Sequence, residues 1–455
     1  MTSRFAFISP ALFAFVLAAA VTGCSGGSAQ NGAGVIPTSS GVPNSQQQSS
    51  QAQSAPVAMP LTAEDLLDAS ATPNPNWTEF GKTSAHAGFN SAETTLSRTN
   101  VGGLTQLWGY ATGGQIESSV LVNNGVAYVD SSSGYLYALN ASTGSLIWEY
   151  QTYEGGSPQD MPAIDGPRII VPCLIGGNSQ ENAMCAINTS TGKRVWAYYV
   201  DCNCLPPAGV GSAPVASGNY VAFIYANGST DSDYLLVANS TNGTAIWGTT
   251  LAHGPSYSTA AISGTNIYYD PDGKSVCSAV LASGTENWCL STGSDSVPAV
   301  SGGVVYANTT SNGLYAINAS TGAELWQYTP TAGNGGGYYN PAAIADGRVY
   351  ISGIGSGGNL YALNAKTGAV DFITATASSV NTDSSPSIAN GVVYVSCQSD
   401  LCAFNSFTGK QLYAGTSGAG TSYVSPSIVN GVVYTACGAN NLCVFSLPSS
   451  STRAK

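Results

Sequence analysis

The side chains of this chain that could do metal chemistry lie between its strand-rich stretches. Four aspartates occupy such segments: Asp160, Asp201, Asp295 and Asp383. Ca²⁺ prefers oxygen ligands, so these carboxylates could hold it if the segments gathered around one mouth of a channel. The only two histidines, His86 and His253, leave little scope for acid–base catalysis by imidazole. We therefore expect solvated loop aspartates, and we predict no catalytic, cofactor-binding or metal-binding residue.

Cysteine spacing indicates disulfide chemistry. Ten cysteines follow Cys24, an even number that suits an exported, oxidised chain. Eight of them fall into pairs within single hairpins, and we predict the disulfides Cys173–Cys185, Cys277–Cys289, Cys397–Cys402 and Cys437–Cys443.

Cys202 and Cys204 remain as a Cys-Asn-Cys pair. We expect either a disulfide across one residue or two buried thiols. The alternative is a redox or metal-binding pair, but neither histidine has the spacing of a metal ligand to these cysteines.

Motifs and composition exclude several classes of function. The sequence has no GxSxG elbow, phosphate-binding loop, HExxH or EF-hand loop. Of its 455 residues only 8 % are charged, and the formal net charge of −12 excludes a basic nucleic-acid footprint. Aromatic residues make up 9 %, which argues against disorder. A mean hydropathy of +0.07 with one long apolar run excludes a protein with several membrane spans.

The N-terminus has the features of an export signal. Residues 1–23 combine Arg4, a long apolar stretch and small residues at the end. The ending Val21-Thr22-Gly23-Cys24 resembles the lipobox of bacterial lipoproteins, which implies a lipid on Cys24. Residues 24–60, rich in Ser, Gly, Gln and Ala, predict a flexible tether. We predict an extracytoplasmic protein, lipid-anchored to the cell envelope and at the outer membrane if there are two membranes. A plain secretory signal or an uncleaved membrane anchor are the alternatives.

An internal repeat organises the rest of the chain. The motif Asn-x-x-Thr-Gly-x-x-x-Trp recurs with variations around Gly144, Gly192, Gly243, Gly284, Gly322, Gly368 and Gly409. The repeated aromatic residue, with an additional one before the first repeat, is expected to pack between neighbouring units: Trp108, Trp148, Trp196, Trp247, Trp288, Trp326, Phe372 and Tyr413. Apolar alternation on both sides of the turn predicts a hairpin in which Asn caps the turn and Gly accepts a positive φ.

Each repeat contains four predicted strands, as a propeller blade does. The first strand carries proline in six repeats, and since proline cannot donate to a sheet ladder this strand should line a central channel with one edge free. Counting gives eight units, of which the last lacks its fourth strand, and the strand around Trp108 can supply it. We predict an all-β fold: an eight-bladed β-propeller of four-stranded antiparallel blades, closed by an N-terminal strand. The predicted boundaries are an opening segment at 61–103, the propeller at 104–447 and a C-terminal tail at 448–455.

The repeat resembles that of the pyrroloquinoline quinone (PQQ)-like propeller family, over about residues 77–447. The stretch Trp77-Thr78-Glu79-Phe80-Gly81-Lys82, with Trp108-Gly109-Tyr110 after it, is similar to the opening of quinoprotein alcohol dehydrogenases, which implies PQQ with Ca²⁺. The lipobox and the lack of long insertions are similar instead to the propeller lipoprotein of the outer-membrane β-barrel assembly machine, which implies a scaffold.

Departures from the dehydrogenase pattern decide the functional prediction. The adjacent Cys-Cys pair of those enzymes is absent, their carboxylates cannot be placed, and no CxxCH motif for a haem occurs. We predict a non-catalytic, membrane-tethered scaffold without a cofactor, for example in outer-membrane protein assembly. It would be a monomer that binds a protein partner at the membrane surface and no nucleic acid. The alternatives are a PQQ-dependent alcohol or sugar oxidoreductase and a cell-surface glycan-binding protein.

Overall fold

Alternating apolar residues and glycine-containing turns fold the chain into antiparallel sheets. A computed structural model describes residues 74–448 except 117, 153–160, 176–180, 201–211, 228–231, 253–258, 311–312, 331–339, 354–357, 377–383, 398–399, 416–423 and 439. The predicted signal peptide, the tether and Cys24 lie outside the described residues, as do Cys202, Cys204, Asp160, Asp201, Asp383 and His253. Within the described part, no helix has both the length and the apolar character that a membrane crossing requires.

The described strands form eight sheets, the eight blades of a propeller, and the predicted fold is confirmed. The opening segment contains β1 (Phe89–Asn90) and a 3-10 helix (Val101–Gly103), and β2 (Thr105–Ala111) follows it. Blades 1 to 4 take four strands each, in chain order: β3 (Leu121–Asn123), β4 (Val126–Ser131), β5 (Tyr135–Asn140), β6 (Leu146–Gln151), β7 (Ala163–Asp165), β8 (Arg168–Ile175), β9 (Glu181–Asn188), β10 (Arg194–Tyr199), β11 (Val215–Ser217), β12 (Tyr220–Asn227), β13 (Ser232–Asn239), β14 (Ala245–Thr250), β15 (Ala261–Ser263), β16 (Asn266–Tyr269), β17 (Ser275–Val280) and β18 (Glu286–Ser291). Blades 5 to 8 follow with β19 (Ser296–Ser301), β20 (Val304–Thr309), β21 (Gly313–Asn318), β22 (Glu324–Tyr328), β23 (Ala343–Ala345), β24 (Arg348–Gly353), β25 (Asn359–Asn364), β26 (Val370–Ala375), β27 (Ser387–Ala389), β28 (Val392–Cys397), β29 (Asp400–Asn405), β30 (Gln411–Ala414), β31 (Ser427–Val429), β32 (Val432–Cys437) and β33 (Asn441–Ser446).

Blade 8 closes the ring with a strand from the other end of the propeller. β2 pairs antiparallel with β33, with Trp108 opposite Val444, and supplies the missing fourth strand. Backbone hydrogen bonds therefore join the two ends of the ring, as the sequence predicts.

The turns follow the predicted chemistry. Asn140 Oδ1 accepts hydrogen bonds from the backbone N–H groups of Ser142 and Thr143, both at 3.0 Å. Between β3 and β4, Asn124 and Gly125 both have positive φ, 51° and 79°. Positive φ at both central residues is the type I′ hairpin requirement, which explains the recurrent Asn-Gly pair.

The repeated aromatic residues pack between blades. The indole of Trp148 lies on Gly192 of the following blade, where an added Cβ would be 2.8 Å from the ring. Its Nε1 donates to Thr189 O at 2.9 Å. The same packing recurs in the pairs Trp108–Gly144, Trp196–Gly243, Trp247–Gly284, Trp288–Gly322, Trp326–Gly368 and Phe372–Gly409. The Tyr413 ring instead lies 6.4 Å from that of Phe445.

The inner edge of the ring is covered rather than free, contrary to expectation. Residues 77–90, here called the plug segment, run around the channel and contact the first strand of every described blade in turn. Plug carbonyls accept from the backbone N–H groups of Val122, Ile164, Ile262, Val300, Ile344 and Ile388, at 2.7–2.8 Å. In blade 3 the acceptor is Glu79 Oε2, which takes the N–H of Ala216 at 3.4 Å, and in blade 8 Asn90 Nδ2 donates to Ile428 O at 2.7 Å.

These contacts satisfy the edge groups that an open strand would leave for another chain. The eight partners are equivalent residues, each two positions before the turn that ends the first strand. The side chains of Trp77, Phe80 and His86 are buried to 3 % exposure or less, so they pack within the ring.

Four hairpin disulfides are present among the described residues, and they join the cysteines that the sequence pairs. Cys173–Cys185, Cys397–Cys402 and Cys437–Cys443 bridge the second and third strands of blades 2, 7 and 8, with Cα–Cα distances of 5.7–5.9 Å. Cys277–Cys289 joins directly opposed residues of β17 and β18, 4.1 Å apart at Cα.

Candidate functional site

The two ends of the channel are built from different connections. Turns between first and second strands, and between third and fourth strands, lie at one end, here called the turn face. The links from each fourth strand to the next blade, and the turns between second and third strands, lie at the link face. Because the plug segment pairs next to the first turns, it closes the channel near the turn face. A channel site for a ligand therefore faces the link face.

Near the link face, the second strands bond to the following blade. Ser352 Oγ donates to Ser384 O at 2.6 Å, and Asn308 Nδ2 donates to Asn340 O at 3.0 Å. Ser396 Oγ donates in the same way to Val424 O. These side chains hold the starts of the first strands of blades 6, 7 and 8 in place.

Three consecutive blades have a buried serine hydroxyl at the equivalent position just before the first strand. Ser385, Ser425 and Ser119 each lie three residues before the plug contact of blades 7, 8 and 1, and Ser118 precedes Ser119. These four residues, here called the serine arc, are 2–3 % exposed. Ser425 Oγ accepts the backbone N–H of Ser385 at 2.8 Å, which connects two of the blades. The hydroxyls of Ser118, Ser119 and Ser385 have no hydrogen-bond partner.

Asp130 lies beside the arc at the end of β4. Leu121 pairs with Tyr128, so continuing the register by two residues sets Ser119 opposite Asp130. Asp130 Oδ1 is buried without a hydrogen-bond partner, and burial raises the pKa of this carboxyl well above its ordinary value. A buried acid with a raised pKa in such a position is a candidate for proton transfer.

The plug segment contributes further buried titratable groups, near the turn face. Burial raises the pKa of Glu79 well above its usual value, and lowers the pKa of Lys82 to about 8 and that of His86 to about 4. Lys82 Nζ donates to Asn74 O at 2.9 Å. Glu93 lies just beyond the plug and accepts backbone N–H bonds from Thr95, Leu96 and Gly431 at 2.6–2.9 Å. Glu93 thereby attaches the opening segment to blade 8.

The described residues do not assemble a metal centre. Their one close group of metal-type side chains is Cys277, Glu286 and Cys289, and its two sulfurs are already bonded to each other. Of the four aspartates considered for Ca²⁺, the described one is Asp295, half-buried in the link between blades 4 and 5.

Sequence reasoning missed the serine arc and Asp130. The serines occupy positions beside the channel where the repeat predicts small residues. The repeat does not show which of their hydroxyls lack a hydrogen-bond partner. Asp130 has the same second-strand position as Asp270, Asn308, Ser352 and Ser396 in other blades. This polar position becomes visible only after the blades are aligned by strand register.

The known proteins to which this chain is similar in sequence are mainly quinone-dependent dehydrogenases. The quinoprotein ethanol dehydrogenase of Pseudomonas aeruginosa is 33 % identical over 152 residues, 31 % of this chain and 23 % of that protein. The chain spans about a fifth of the length of the first such relatives, 19–23 %. The tetrathionate hydrolase of Acidithiobacillus ferrooxidans is 25 % identical over 370 residues, 71 % of this chain and 69 % of that protein.

Among solved structures, the quinohemoprotein alcohol dehydrogenase of Comamonas testosteroni has a TM-score of 0.68. The match covers 85 % of this chain and 83 % of that chain at 13 % identity, so it shows a shared fold.

These findings correct two predictions. The non-catalytic scaffold and the absence of a cofactor are both wrong, because the similar proteins are mostly quinone-dependent dehydrogenases and favour the PQQ-dependent alternative. The scaffold prediction rests on departures from the dehydrogenase pattern, such as the missing adjacent Cys-Cys pair and the carboxylates that cannot be placed. The link end nevertheless contains unpartnered buried hydroxyls and a buried carboxyl, which packing alone does not require.

A family model described as outer membrane protein assembly factor BamB matches residues 92–277 and 272–454. Together the matches extend from the opening segment past β33 and include the described strands of all eight blades. Such a match identifies the repeat and the fold, which can host different activities. The chain therefore belongs to this family of PQQ-like propeller proteins.

Proposed function

We propose that this protein is a PQQ-dependent oxidoreductase whose cofactor binds at the link end of the channel. The observation that carries the proposal is the set of buried, unpartnered hydroxyls of Ser118, Ser119 and Ser385. An unsatisfied buried polar group costs about 1–3 kcal/mol, and a ligand that pairs with these hydroxyls would remove that cost. The similarity to quinone-dependent dehydrogenases supports a quinone as that ligand.

The residues present fit the chemistry of such a cofactor. PQQ presents carboxylate and carbonyl oxygens, all of them acceptors, and the serine arc would hold those oxygens with hydroxyl donors. When bound, the quinone accepts two electrons and two protons from an alcohol, which leaves as the aldehyde. The plug segment pairs with the inner strands near the turn face and would keep water away from that side of a bound cofactor.

Asp130 is proposed to accept the proton of the substrate hydroxyl. Its Oδ1 has no hydrogen-bond partner, and burial raises the pKa of the carboxyl although a backbone hydrogen bond from Ser131 opposes the shift. The raised pKa makes its carboxylate a stronger base than a solvated aspartate. A positioned general base typically contributes 10²–10⁴-fold to rate.

The test uses the purified protein with added PQQ and Ca²⁺, and measures dye reduction with ethanol and with glucose. We expect cofactor-dependent turnover that falls about 100-fold or more in Asp130→Asn. The matched control is Asp165→Asn, because Asp165 pairs with Arg168 at 2.8 Å on the turn face, away from the arc. Absence of turnover in the loaded wild-type protein, or equal loss in both variants, contradicts the proposal.

A second candidate is hydrolysis of a sulfur oxyanion. It is favoured by the tetrathionate hydrolase alignment, which covers about seven-tenths of both chains. In this case Asp130 would activate water. Consumption of tetrathionate by the protein without added quinone, followed by ion chromatography, separates this reaction from alcohol oxidation.

We also propose that the propeller is carried outside the cytoplasm on a lipid at Cys24, at the outer membrane if there are two membranes. The signal at residues 1–23 and the uncharged tether support this placement. Labelling with a fatty-acid analogue in the native host should be lost in Cys24→Ala. The predicted protein partner and the monomeric state stay predictions.

A further inference from the structure

An exposed phenylalanine departs from the repeat at the turn face of blade 7. Phe407 lies two residues before Gly409, in the turn between the third and fourth strands, and is 40 % exposed. The equivalent position is Ser, Thr or Ala in blades 1 to 5 and Lys366 in blade 6. The turn itself therefore does not require an aromatic side chain there. The exposed Val370, at the turn-face end of β26, adds a second apolar side chain in blade 6.

Cationic side chains accompany the phenylalanine ring. The guanidinium carbons of Arg98 and Arg348 lie 4.9 Å and 5.0 Å from its centroid, within the distance of a cation–π contact. Lys410 lies in the same turn as the ring and Lys366 in the corresponding turn of blade 6, and both lysines are exposed. These five residues are here called the Phe407 patch: Arg98, Arg348, Lys366, Phe407 and Lys410.

The Phe407 patch has an excess of positive charge, although the whole chain has a formal net charge of −12. Arg348 pairs with Asp371 at 2.7 Å, whereas the other three cations of the patch have no ion-pair partner within the described part of the chain. The turn-face turns of blades 6 and 7 contain one acid, Asp346. Of the described lysines and arginines, Lys82 lies in the plug segment and Lys274 at the link face, and all others lie at the turn face. Because salt screens charges beyond about 10 Å, this local excess governs contact with an anionic surface.

The predicted tether leads into the propeller at this same end. Asn76, close to the start of the described residues, is bonded to the first turn of blade 1: its Nδ2 donates to Asn123 Oδ1 at 2.8 Å, and its Oδ1 accepts the N–H of Asn124 at 3.2 Å. That turn belongs to the turn face. A lipid at Cys24 would therefore keep a membrane at high local concentration near the turn face.

We infer that the Phe407 patch docks the propeller on the anionic surface of the membrane that carries the lipid of Cys24. The inference rests on the lipid anchor proposed above. The ring of Phe407 enters the headgroup region, and the arginines and lysines beside it contact lipid phosphates. Docking through the turn face leaves the link face, where the cofactor is proposed to bind, open to the aqueous side.

Two substitutions remove the patch and keep the chemistry of the turn. Lys366→Ser and Phe407→Ser introduce the residue that blades 1, 2 and 5 have at this position, so the variants should fold. We expect Lys366→Ser to weaken binding to anionic vesicles about fivefold, the contribution of one cation near such a surface. Phe407→Ser should weaken it about tenfold because the ring no longer enters the membrane interface.

The link end supplies matched controls. Lys274 is an exposed cation at the link face, and Tyr199, which ends the fourth strand of blade 2 on the link side, is 60 % exposed. Lys274→Ser and Tyr199→Ser remove the same kinds of group from the opposite end of the ring. Both variants should bind vesicles as the parent protein does.

The experiment measures co-sedimentation of the full-length chain carrying Cys24→Ala, so that an attached lipid does not mask docking by the propeller. The vesicles contain phosphatidylcholine alone, or one part phosphatidylglycerol to two parts phosphatidylcholine. We expect binding to the anionic vesicles that falls at high ionic strength and falls in the two patch variants but not in the controls. Absence of binding, equal binding to both kinds of vesicle, or equal losses in patch and control variants would overturn the inference. Retention on a polyglutamate resin without vesicle binding would overturn it in favour of an acidic protein partner.

Failure of this inference is distinguishable from failure of the proposed function. The patch variants should retain PQQ-dependent turnover, because the patch lies at the other end of the channel from the serine arc and Asp130. Fatty-acid labelling of Cys24 together with turnover, but without vesicle docking, would disprove the patch alone. Vesicle docking that depends on the patch, in a protein without the label or without turnover, would support the patch and disprove the anchor or the oxidoreductase.

Discussion

The packing of each indole on a glycine of the next blade can be tested at Gly243. This glycine has φ +74°, and a Cβ added to it would lie 2.7 Å from Cε3 and 2.9 Å from Cδ2 of Trp196. Trp196 is 8 % exposed, and its Nε1 donates to Ser240 O at 2.9 Å. Gly243→Ala must therefore displace both the ring and that hydrogen bond.

Gly218→Ala is the matched control, since Gly218 also has a positive φ, 61°, but an added Cβ would have nothing within 4 Å. Both substitutions place an L-residue in the left-handed region, which costs about 1–2 kcal/mol. Overpacking against Trp196 adds about 1–3 kcal/mol in Gly243→Ala, and the strained Nε1 bond adds about 0.5–1.5 kcal/mol. We expect Gly243→Ala to lose about 1.5–4.5 kcal/mol more than its control.

Urea unfolding followed by tryptophan fluorescence measures the difference. A third variant, Trp196→Ala, removes the obstacle, so adding Gly243→Ala to it should cost no more than Gly218→Ala costs in the wild type. Equal losses in the two single glycine variants, or additive losses in the double variant, would refute the packing argument.

Two further predictions concern buried carboxylates of the opening segment. Glu93→Ala leaves three backbone N–H groups without their acceptor, the buried ones of Leu96 and Gly431 and the part-buried one of Thr95. It should lower the free energy of unfolding by about 3–5 kcal/mol, whereas Glu324→Ala, at an exposed position, should stay within about 0.5 kcal/mol in the same urea titration. Burial raises the pKa of Glu79 above 4.5, so the fold holds this carboxyl protonated while the unfolded chain ionises it, and wild-type stability falls as pH rises above about 4.5. Relative to wild type, Glu79→Gln should gain up to about 1.4 kcal/mol per pH unit between pH 4.5 and 7; a difference that does not change with pH would mean that Glu79 is ionised in the fold.

The sequence predicts the ring because each blade repeats its own local chemistry. Asn140, Thr143 and Gly144 specify a turn within a few residues, and the missing fourth strand of the last repeat points directly to the strand around Trp108. Cysteine pairs in hairpins are fixed by the same short-range register. The glycine that receives each indole is in the repeat as well, but its role depends on the neighbouring blade, which local pattern does not reveal.

The plug segment could not be predicted in this way. Its contacts with the blades come one or two at a time, and even the adjacent Ser84 and Ala85 bond to different blades, at Ile262 and Val300. Apart from β1, which pairs in parallel with β27, its backbone follows the ring and not a sheet or helix, so it has no periodicity of its own. The sequence identified this stretch through its family resemblance and gave no sign that it would pair with the inner strands.

The plug and the serine arc together give a physical reason for the scarcity of charge in the channel wall. A buried ion in a narrow ring would need a partner ion, whereas a hydroxyl needs one hydrogen bond, which a ligand can supply. Neutral donors also leave the formal charge of −12 unopposed around the ring, so an anionic ligand approaches against a repulsive field. Salt screens that repulsion but hardly affects hydrogen bonds within the closed channel. The association rate of PQQ or tetrathionate should therefore rise with ionic strength while the dissociation rate stays nearly constant, and stopped-flow fluorescence showing the opposite salt dependence would require a cationic site in place of the arc.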